Sequence, residues 1–432
     1  MILSKSKKLP ENVSVRGIRI KLLPTQQQEI LLTQFIGTRR FAYDWALELR
    51  TNTWVNENRF IPLSELLHMF TLLRKDDDTL WLNDISCDVG KQAIKDLDVA
   101  FQRYFKMTKE PGYVIYTKNT IRKAAFNHRD LTIYDRNGYP KFKKRYECNE
   151  GFHVDCYKLQ LKEDQAYIPK IGWIKLAISN KLPIGKAGYD FKAYNVKVKT
   201  DGLNWFLVLG LEKEISNTSY IPKTEPIGID LGIKDLAILS DNTKYKNINK
   251  TKRVKQLKKR IRRLERQLSR KYQMNKQGDK YVKTNNILKL KRKLLKLQHQ
   301  LTNIRKNYRH QITSELVKRE PIFISIEDLN VKGMMKNKHL SKATQEQGFY
   351  EFRLFLTYKC KEHGIPLYLT DRFFPSSKTC SCCGYKNKDL KLSDRIYKCP
   401  NCNTVIDRDI NAAVNIRNYG QELHNKSIIQ IL

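Results

Sequence analysis

A multidomain α/β fold is what the sequence predicts, on three observations. Apolar and polar residues alternate in short runs at 15–23 and between 138 and 215, with Gly, Pro and Asn at the breaks, as on half-buried antiparallel strands. Apolar residues three and four apart mark helices near 26–50, near 89–105 and across 252–310. Two nearly continuous apolar runs, 227–231 and 321–329, read as buried strands, each carrying an acid where an unpaired carboxylate is costly.

The 432 residues, 41% hydrophobic and 10% aromatic, suffice for about two to four domain cores. A formal net charge of +38 calls for a polyanionic partner. No window approaches the roughly 18 uninterrupted apolar residues of a spanning helix, and Met1 to Pro10 is charged, without the apolar core of a signal peptide. The expectation is therefore neither a membrane nor a secreted protein but an intracellular one, in cytoplasm, nucleoid or a viral equivalent.

Taken in order, residues 1–25 hold the first strand, where Ile18, Ile20 and Leu22 alternate with Arg19 and Lys21 before Pro24. Residues 26–130 form a helical lobe, with Ile30, Leu31, Phe35, Phe41, Trp45 and Leu49 as an apolar stripe. Residues 131–222 return to strands, expected to make a β-barrel or sandwich that includes the strand at 15–23. Residues 223–375 form an α/β domain interrupted at 252–310, where 22 Lys and Arg stand against Glu265 and Asp279 alone. Leu257, Ile261, Leu264 and Leu268, then Leu294, Leu297, Leu301 and Ile304, follow a heptad-like spacing, so two helices joined near Gly278 should pack as an antiparallel hairpin. Charge of one sign on such a pair needs an anion to offset it, which makes Lys258, Lys259, Arg260, Arg262 and Arg263 candidate phosphate contacts.

Five of the nine cysteines fall within 23 residues. Cys380 and Cys383, then Cys399 and Cys402, are two Cys-x2-Cys knuckles separated by fifteen residues, the spacing of a tetrahedral structural Zn(II) site. Residues 376–404 are therefore a zinc ribbon. Four sulfurs leave no open position, so the ion would fold the segment, not catalyse. Cys382 breaks the two-residue spacing and is left outside the set, while Cys87, Cys148, Cys156 and Cys360 read as core or incidental thiols. Cys360 shares an apolar helix face with Phe349, Phe352 and Leu356.

Asp230 sits in the first apolar run and Glu327 near the end of the second. A third acid follows in residues 405–432, on a helix starting near Asp407 whose Asp409, Ala412, Ala413 and Ile416 share one side. Two strand-borne acids and one helix-borne acid are what a ribonuclease-H-like nuclease uses to hold two Mg(II) ions about 3.5–4 Å apart, one activating water and one stabilising the leaving oxygen. Asp328, next to Glu327, would face the other way.

With these motifs in place the chain resembles the insertion-sequence-encoded TnpB proteins, relatives of the compact type V CRISPR nucleases. Matching stretches run from Arg39 to Leu47, Gly138 to Arg145, Gly228 to Gly232, Ile326 to Leu329, Ser376 to Gly384, Tyr397 to Cys402 and Asp407 to Ala413. The resemblance implies a RuvC-type nuclease domain of ribonuclease-H fold, interrupted by the basic hairpin and the ribbon, behind a wedge barrel and a helical recognition lobe. It implies Asp230, Glu327 and Asp409 as catalytic, Mg(II)-holding acids, with Asp407 capping the helix, Arg395 within reach of the scissile phosphate and Asn411 orienting a ligand or water. It further implies cleavage of double-stranded DNA guided by an RNA from the element's own end, base pairing reading the sequence and the protein gripping backbone. Tyr139 and Phe142, interleaved with Lys141, Lys143, Lys144 and Arg145, would stack on bases while holding phosphates. Two other functions stay open at this point: a transposase or recombinase that itself acts on element ends, and a non-catalytic zinc-ribbon regulator that binds nucleic acid.

Overall fold

Strand β1 (Val13–Leu23) stops at Pro24, and Thr25 then caps helix α1 (Gln26–Glu57). The Thr25 hydroxyl accepts the Gln28 N–H at 3.3 Å while the Gln28 side chain accepts the Thr25 N–H at 3.0 Å, a reciprocal cap that satisfies two otherwise orphaned donors. The computed structural model describes residues 13–143, 150–177, 193–214, 220–278, 280–391 and 394–429, in two units, Met1–Ser216 and Asn217–Leu432. Lys144 and Arg145 lie outside the described residues. No described helix is long and apolar enough to cross a membrane.

The first unit continues with α2 (Leu63–Leu73), α3 (Cys87–Thr108) and α4 (Lys118–Phe126), then strands β2 (Gly151–His153), β3 (Gln160–Leu161), β4 (Gln165–Ile168), β5 (Gly172–Leu176), β6 (Ala193–Thr200) and β7 (Trp205–Glu214). These join β1 in an antiparallel sheet of order β2-β6-β7-β1-β5-β4-β3. The alternation at 15–23 works as expected: Ile20 and Leu22 are buried with Leu207, Leu209 and Leu211 of β7. Among the described residues no ladder joins the end strands β2 and β3, so the pairing is that of an open sheet where a barrel was one expectation. Alternation reports which face is buried, not whether the two edges meet. Leu32, Phe35 and Ile36 of α1 share the sheet's core, which ties the helical lobe to it.

The second unit builds β8 (Ile227–Leu231), β9 (Asp235–Leu239) and β10 (Lys244–Lys246) as an antiparallel meander. Next come α5 (Lys252–Met274), a two-rung turn of β11 (Lys276–Gln277) and β12 (Lys280–Tyr281), and α6 (Asn285–Lys318). Leu257, Ile261 and Leu294 form the buried seam of this helical hairpin, with Leu264, Leu268, Leu297, Leu301 and Ile304 packed along it, as their spacing predicts. Then follow β13 (Ile324–Glu327), α7 (Val331–Lys336), α8 (Ser341–Gln347), α9 (Phe349–His363) and β14 (Leu367–Thr370), with β13 and β14 parallel to β8. The sheet order is β10-β9-β8-β13-β14. A two-stranded ribbon, β15 (Ile396–Lys398) and β16 (Val405–Asp407), leads into α10 (Arg408–Ile429).

Ile227, Ile229 and Leu231 of β8, with Ile324 and Ile326 of β13, face Ile312, Leu316, Phe352, Leu356 and Cys360 of α6 and α9. The intervening residues, Gly228 and Asp230, Ser325 and Glu327, point to the opposite face. Helix α10 lies there, and Gly228 is why it fits. A Cβ on Gly228 would stand 2.6 Å from the Arg417 nitrogen and closer still to the Ala413 carbonyl oxygen, both backbone atoms that cannot swing away. Gly228→Ala is expected to lower stability by about 1–3 kcal/mol or more through overpacking. A urea midpoint indistinguishable from wild type would show that α10 does not seat at this distance.

Candidate active site and metal cluster

Asp230 and Glu327 lie side by side because of strand register. Ile229 pairs with Ile326, so the next residue of each parallel strand is one of the two acids, at the carboxyl end of the sheet. Ala413, docked on Gly228, places Asp409 one turn earlier on α10, over the same end. All three acids are half-buried. Burial pushes the Asp230 carboxyl up to about 8, reinforced by the charges of Glu327 and Asp409 and opposed by Arg408. Burial, with the neighbouring Asp328, also raises Glu327. Like charges from three segments, gathered on one face and costly to ionise together, form a donor set that a divalent cation would relieve. The carboxylate oxygens do not converge within 4.8 Å of one another as the cysteine sulfurs do.

Neighbouring residues divide the work. Asp407 is the helix cap: its Oδ1 accepts the Asp409 N–H at 2.9 Å and the Ile410 N–H at 3.4 Å, and its other oxygen holds Lys244 at 2.9 Å. Asp328 is turned away and clamped by Arg353 and by Arg372, the latter at 2.6 Å. Arg395 lies 3.9 Å from the Asp409 carboxylate with its side chain 56% exposed, and Arg408 lies 3.4 Å from it.

Asn411 does something other than orient a water or ligand. Its amide donates to the Thr379 carbonyl at 2.7 Å and its oxygen accepts the Ser381 N–H at 2.9 Å. One turn on, the Asn415 amide donates to the carbonyls of Ser376 and Thr379 at 2.7 and 2.6 Å. Both asparagines are buried, so the ribbon's first knuckle is bolted to the helix that carries Asp409. The sequence reading missed Asn415; two Asn four apart on the buried face of that helix were the available signal.

In the ribbon the four expected sulfurs lie within 4.8 Å of one another, and Cys382 is exposed outside the set. The two knuckles have the same backbone. Cys380 N–H donates to Tyr385 O and Gly384 N–H to Cys380 O; Cys399 N–H donates to Thr404 O and Asn403 N–H to Cys399 O. Each turn needs a left-handed residue, Gly384 at φ 75° and Asn403 at φ 57°, the residue types that tolerate it. Hydrogen bonds from Thr404 draw the Cys402 thiol down to about 6, whereas burial pushes Cys380 up to about 12. Four clustered sulfurs with a closed shell fit a tetrahedral soft-metal site.

The expected nucleic-acid contacts separate into two groups. Lys259, Arg260, Arg262 and Arg263 are exposed on α5, but Lys258 is bound to Glu346 at 2.7 Å, a carboxylate also held by Arg305 at 3.3 Å. Its charge is already neutralised within the fold. Tyr139 is 6% exposed, hydrogen-bonded to Thr51 at 3.0 Å and packed edge-on to Phe101 and Tyr104, so its ring is part of the lobe's core and not an open stacking face. Phe142 is 42% exposed against Tyr134, Lys141 is exposed, and Lys143 lies 4.2 Å over the Tyr43 ring.

Three family descriptions match segments of this chain: "Helix-turn-helix domain" over residues 15–59, "Probable transposase" over 207–338 and "Cas12f1-like, TNB domain" over 349–416. The first segment folds here as one strand and one long helix. A Streptomyces pristinaespiralis protein named "Putative RNA-guided DNA endonuclease" is 30% identical over 403 residues, covering 93% of this chain and 88% of its own. The chain belongs to the TnpB family. The Escherichia coli (strain K12) "Putative RNA-guided DNA endonuclease InsQ" is 27% identical over 93% of this chain and 91% of its own. Mimivirus "TnpB-like protein L79" is 36% identical over 138 residues, 31% of this chain and 26% of its own. A solved Cas12f1–sgRNA–target DNA complex overlaps this TnpB-family chain with a TM-score of 0.32 at 16% identity, over 94% of this chain and 99% of that one.

Proposed function

We propose that this chain is an RNA-guided DNA endonuclease that cuts double-stranded DNA by Mg(II)-dependent hydrolysis and supports the persistence of its element. The observation that carries the proposal is the meeting of Asp230, Glu327 and Asp409 on one face at the carboxyl end of one sheet, with Asp230 destabilised as an anion by burial and then by the charges of the other two. The strand order, with three antiparallel strands followed by two parallel to the first, suits a ribonuclease-H-like core of the RuvC type. Bound Mg(II), one or two ions, would supply an activated water and neutralise the leaving oxygen. Asp230, Glu327 and Asp409 would hold it, and Arg395 would meet a phosphate of the substrate. Zn(II) in the four-cysteine cluster is structural. The exposed cations of α5, in a chain of net charge +38, suit the backbone of an RNA–DNA duplex. The guide is expected to come from the transposon end.

The test is to express the protein with its native flanking DNA, sequence any RNA that co-purifies, and assay cleavage of a matching plasmid with and without Mg(II). One discrete RNA species and cleavage requiring both RNA and metal are expected. Strand joining by an RNA-free multimer would establish instead the transposase that one family description names. RNA bound without cleavage under any metal would leave a non-catalytic binding protein.

A further inference from the structure

Among the described residues the pairing of β8 with β13 ends at Ile229 and Ile326, so Asp230 lies one residue beyond it. From there the strand is held by β9 alone, through Asp230 opposite Ile238 and Leu231 opposite Ala237. The charges of Glu327 and Asp409 push against the Asp230 carboxylate. A strand end loaded in this way yields at its turn, residues 232–234, unless something outside the β8–β9 hairpin holds it. Side chains take three consecutive carbonyls of that turn. Gln347 Nε2 donates to Gly232 O at 2.9 Å and to Ile233 O at 3.3 Å, Asn247 Nδ2 donates to Ile233 O at 2.8 Å, and Lys250 Nζ donates to Lys234 O at 3.0 Å. Water satisfies such carbonyls in most surface turns, whereas ordering and burying a glutamine to reach two of them costs free energy. Gln347 is 2% exposed and is the last residue of α8.

The basic hairpin fixes Gln347 in its turn. Arg309 of α6 donates to the Gln347 carbonyl at 3.2 Å and to the Glu351 carboxylate. Glu346, one residue earlier, receives Lys258 of α5 at 2.7 Å and Arg305 of α6 at 3.3 Å, and its carbonyl accepts the Asn249 amide at 3.2 Å. The Asn249 oxygen accepts Arg305 Nε at 2.7 Å. Both long helices therefore grip the end of α8, and α8 grips the turn that follows Asp230. We propose that Gln347 is a positioning residue for metal binding: by pinning the carbonyls of Gly232 and Ile233 it keeps Asp230 beside Glu327 and Asp409, while Glu346, clamped by Lys258 and Arg305, keeps Gln347 in place. The inference rests on the function proposed above in taking those three acids as the ligands of the ion. Lys258 and Arg305 then serve the acid site from the foot of the hairpin, and the exposed cations of α5 are left for nucleic acid.

Mn(II), a paramagnetic probe for the Mg(II) site, tests this without substrate. Full-length, zinc-loaded protein is titrated with Mn(II) and the free ion is read by electron paramagnetic resonance. Asp230→Asn, which removes a ligand, should abolish the binding and so marks the site being read. Gln347→Met keeps the length of the side chain and removes both N–H donors. It should weaken Mn(II) binding by about tenfold or more, the usual loss when a group that orients a metal ligand is removed. The Mg(II) concentration for half-maximal cleavage should rise by a similar factor, with RNA affinity and the rate at saturating Mg(II) little changed. Glu346→Gln, at a partly exposed position, should shift Mn(II) binding in the same direction by less, and it decides the matter if Gln347→Met fails to fold. Ile312→Val, which trims the buried core of the same unit, should lower the melting temperature and leave Mn(II) binding alone. Unchanged Mn(II) affinity in the Gln347 and Glu346 variants, or an equal loss in Ile312→Val, overturns the positioning role and leaves the nuclease standing. Mn(II) binding that weakens as expected in a protein that cuts no DNA upholds the positioning role and overturns the nuclease. A wild type whose Mn(II) binding is untouched by Asp230→Asn overturns both.

Discussion

Asp230→Asn is expected to stabilise the metal-free protein and to abolish cleavage at the same time. The folded carboxyl is pushed from the ordinary 3.8 to about 8 by burial and by Glu327 and Asp409. Because the folded value is the higher one, Asp230 contributes stability that is fully present below about pH 4 and is lost as the pH rises through about 8. Asparagine keeps the shape and removes the charge. In a chelator the melting temperature of wild type should therefore fall relative to the variant between about pH 5 and about pH 8, by roughly 2–4 °C for each kcal/mol involved. Mg(II) should close that gap in wild type and leave the variant unmoved, since only the wild type gains a counterion for its clustered carboxylates. Cleavage should drop by at least about a thousandfold, the loss of several kcal/mol of metal-borne stabilisation, with RNA binding intact. Equal melting curves across the pH range, or a variant that still cuts, would remove Asp230 from the metal site.

The second large effect is at a distance from the acids. Cys399→Ser, or stripping the metal with a strong chelator, should unfold the knuckles, because a segment this small has Tyr397, Cys380 and Cys399 for a core and little else. Thr379 and Ser381 then leave Asn411 and Asn415 with buried, unpaired amides beside Asp409. Each such group costs about 1–3 kcal/mol, enough to shift the first turns of α10 and lower cleavage roughly 10- to 100-fold with all three acids untouched. Metal analysis, proteolysis confined to 376–404 and a cleavage assay read the effect together. Cys382→Ser serves as the control and should retain the full metal content. If Cys399→Ser loses its metal yet cleaves at the wild-type rate, the ribbon does not position the active site.

Where a feature depends on local chemistry or on a short period, it was readable in advance. The cysteine spacing predicted the sulfur cluster, and the shared apolar face of Phe349, Phe352, Leu356 and Cys360 is buried as expected. The heptad positions of α5 and α6 form the seam of the hairpin. Features that depend on which distant segment a side chain meets were not readable. Tyr139 and Lys258 look like nucleic-acid contacts in sequence because nothing there reveals Thr51, Phe101 or Glu346 waiting beside them. Asn411 has the same limitation: an Asn near an acid reads as chemistry until its amide is seen to hold Thr379 and Ser381.

By itself, then, the sequence determined the elements, the face each buries and which four cysteines cluster, because covalent spacing and hydrophobic period act within one segment. Only the tertiary structure decided how those residues work together. Parallel register set Asp230 beside Glu327, the missing Cβ of Gly228 let α10 bring Asp409 over them, and two buried asparagines fastened the ribbon to that helix. These are contacts between separate segments of the chain, the asparagine bonds spanning 30 to 39 residues and the strand and helix packing many more, and their free energy comes from packing and buried hydrogen bonds that no single segment contains.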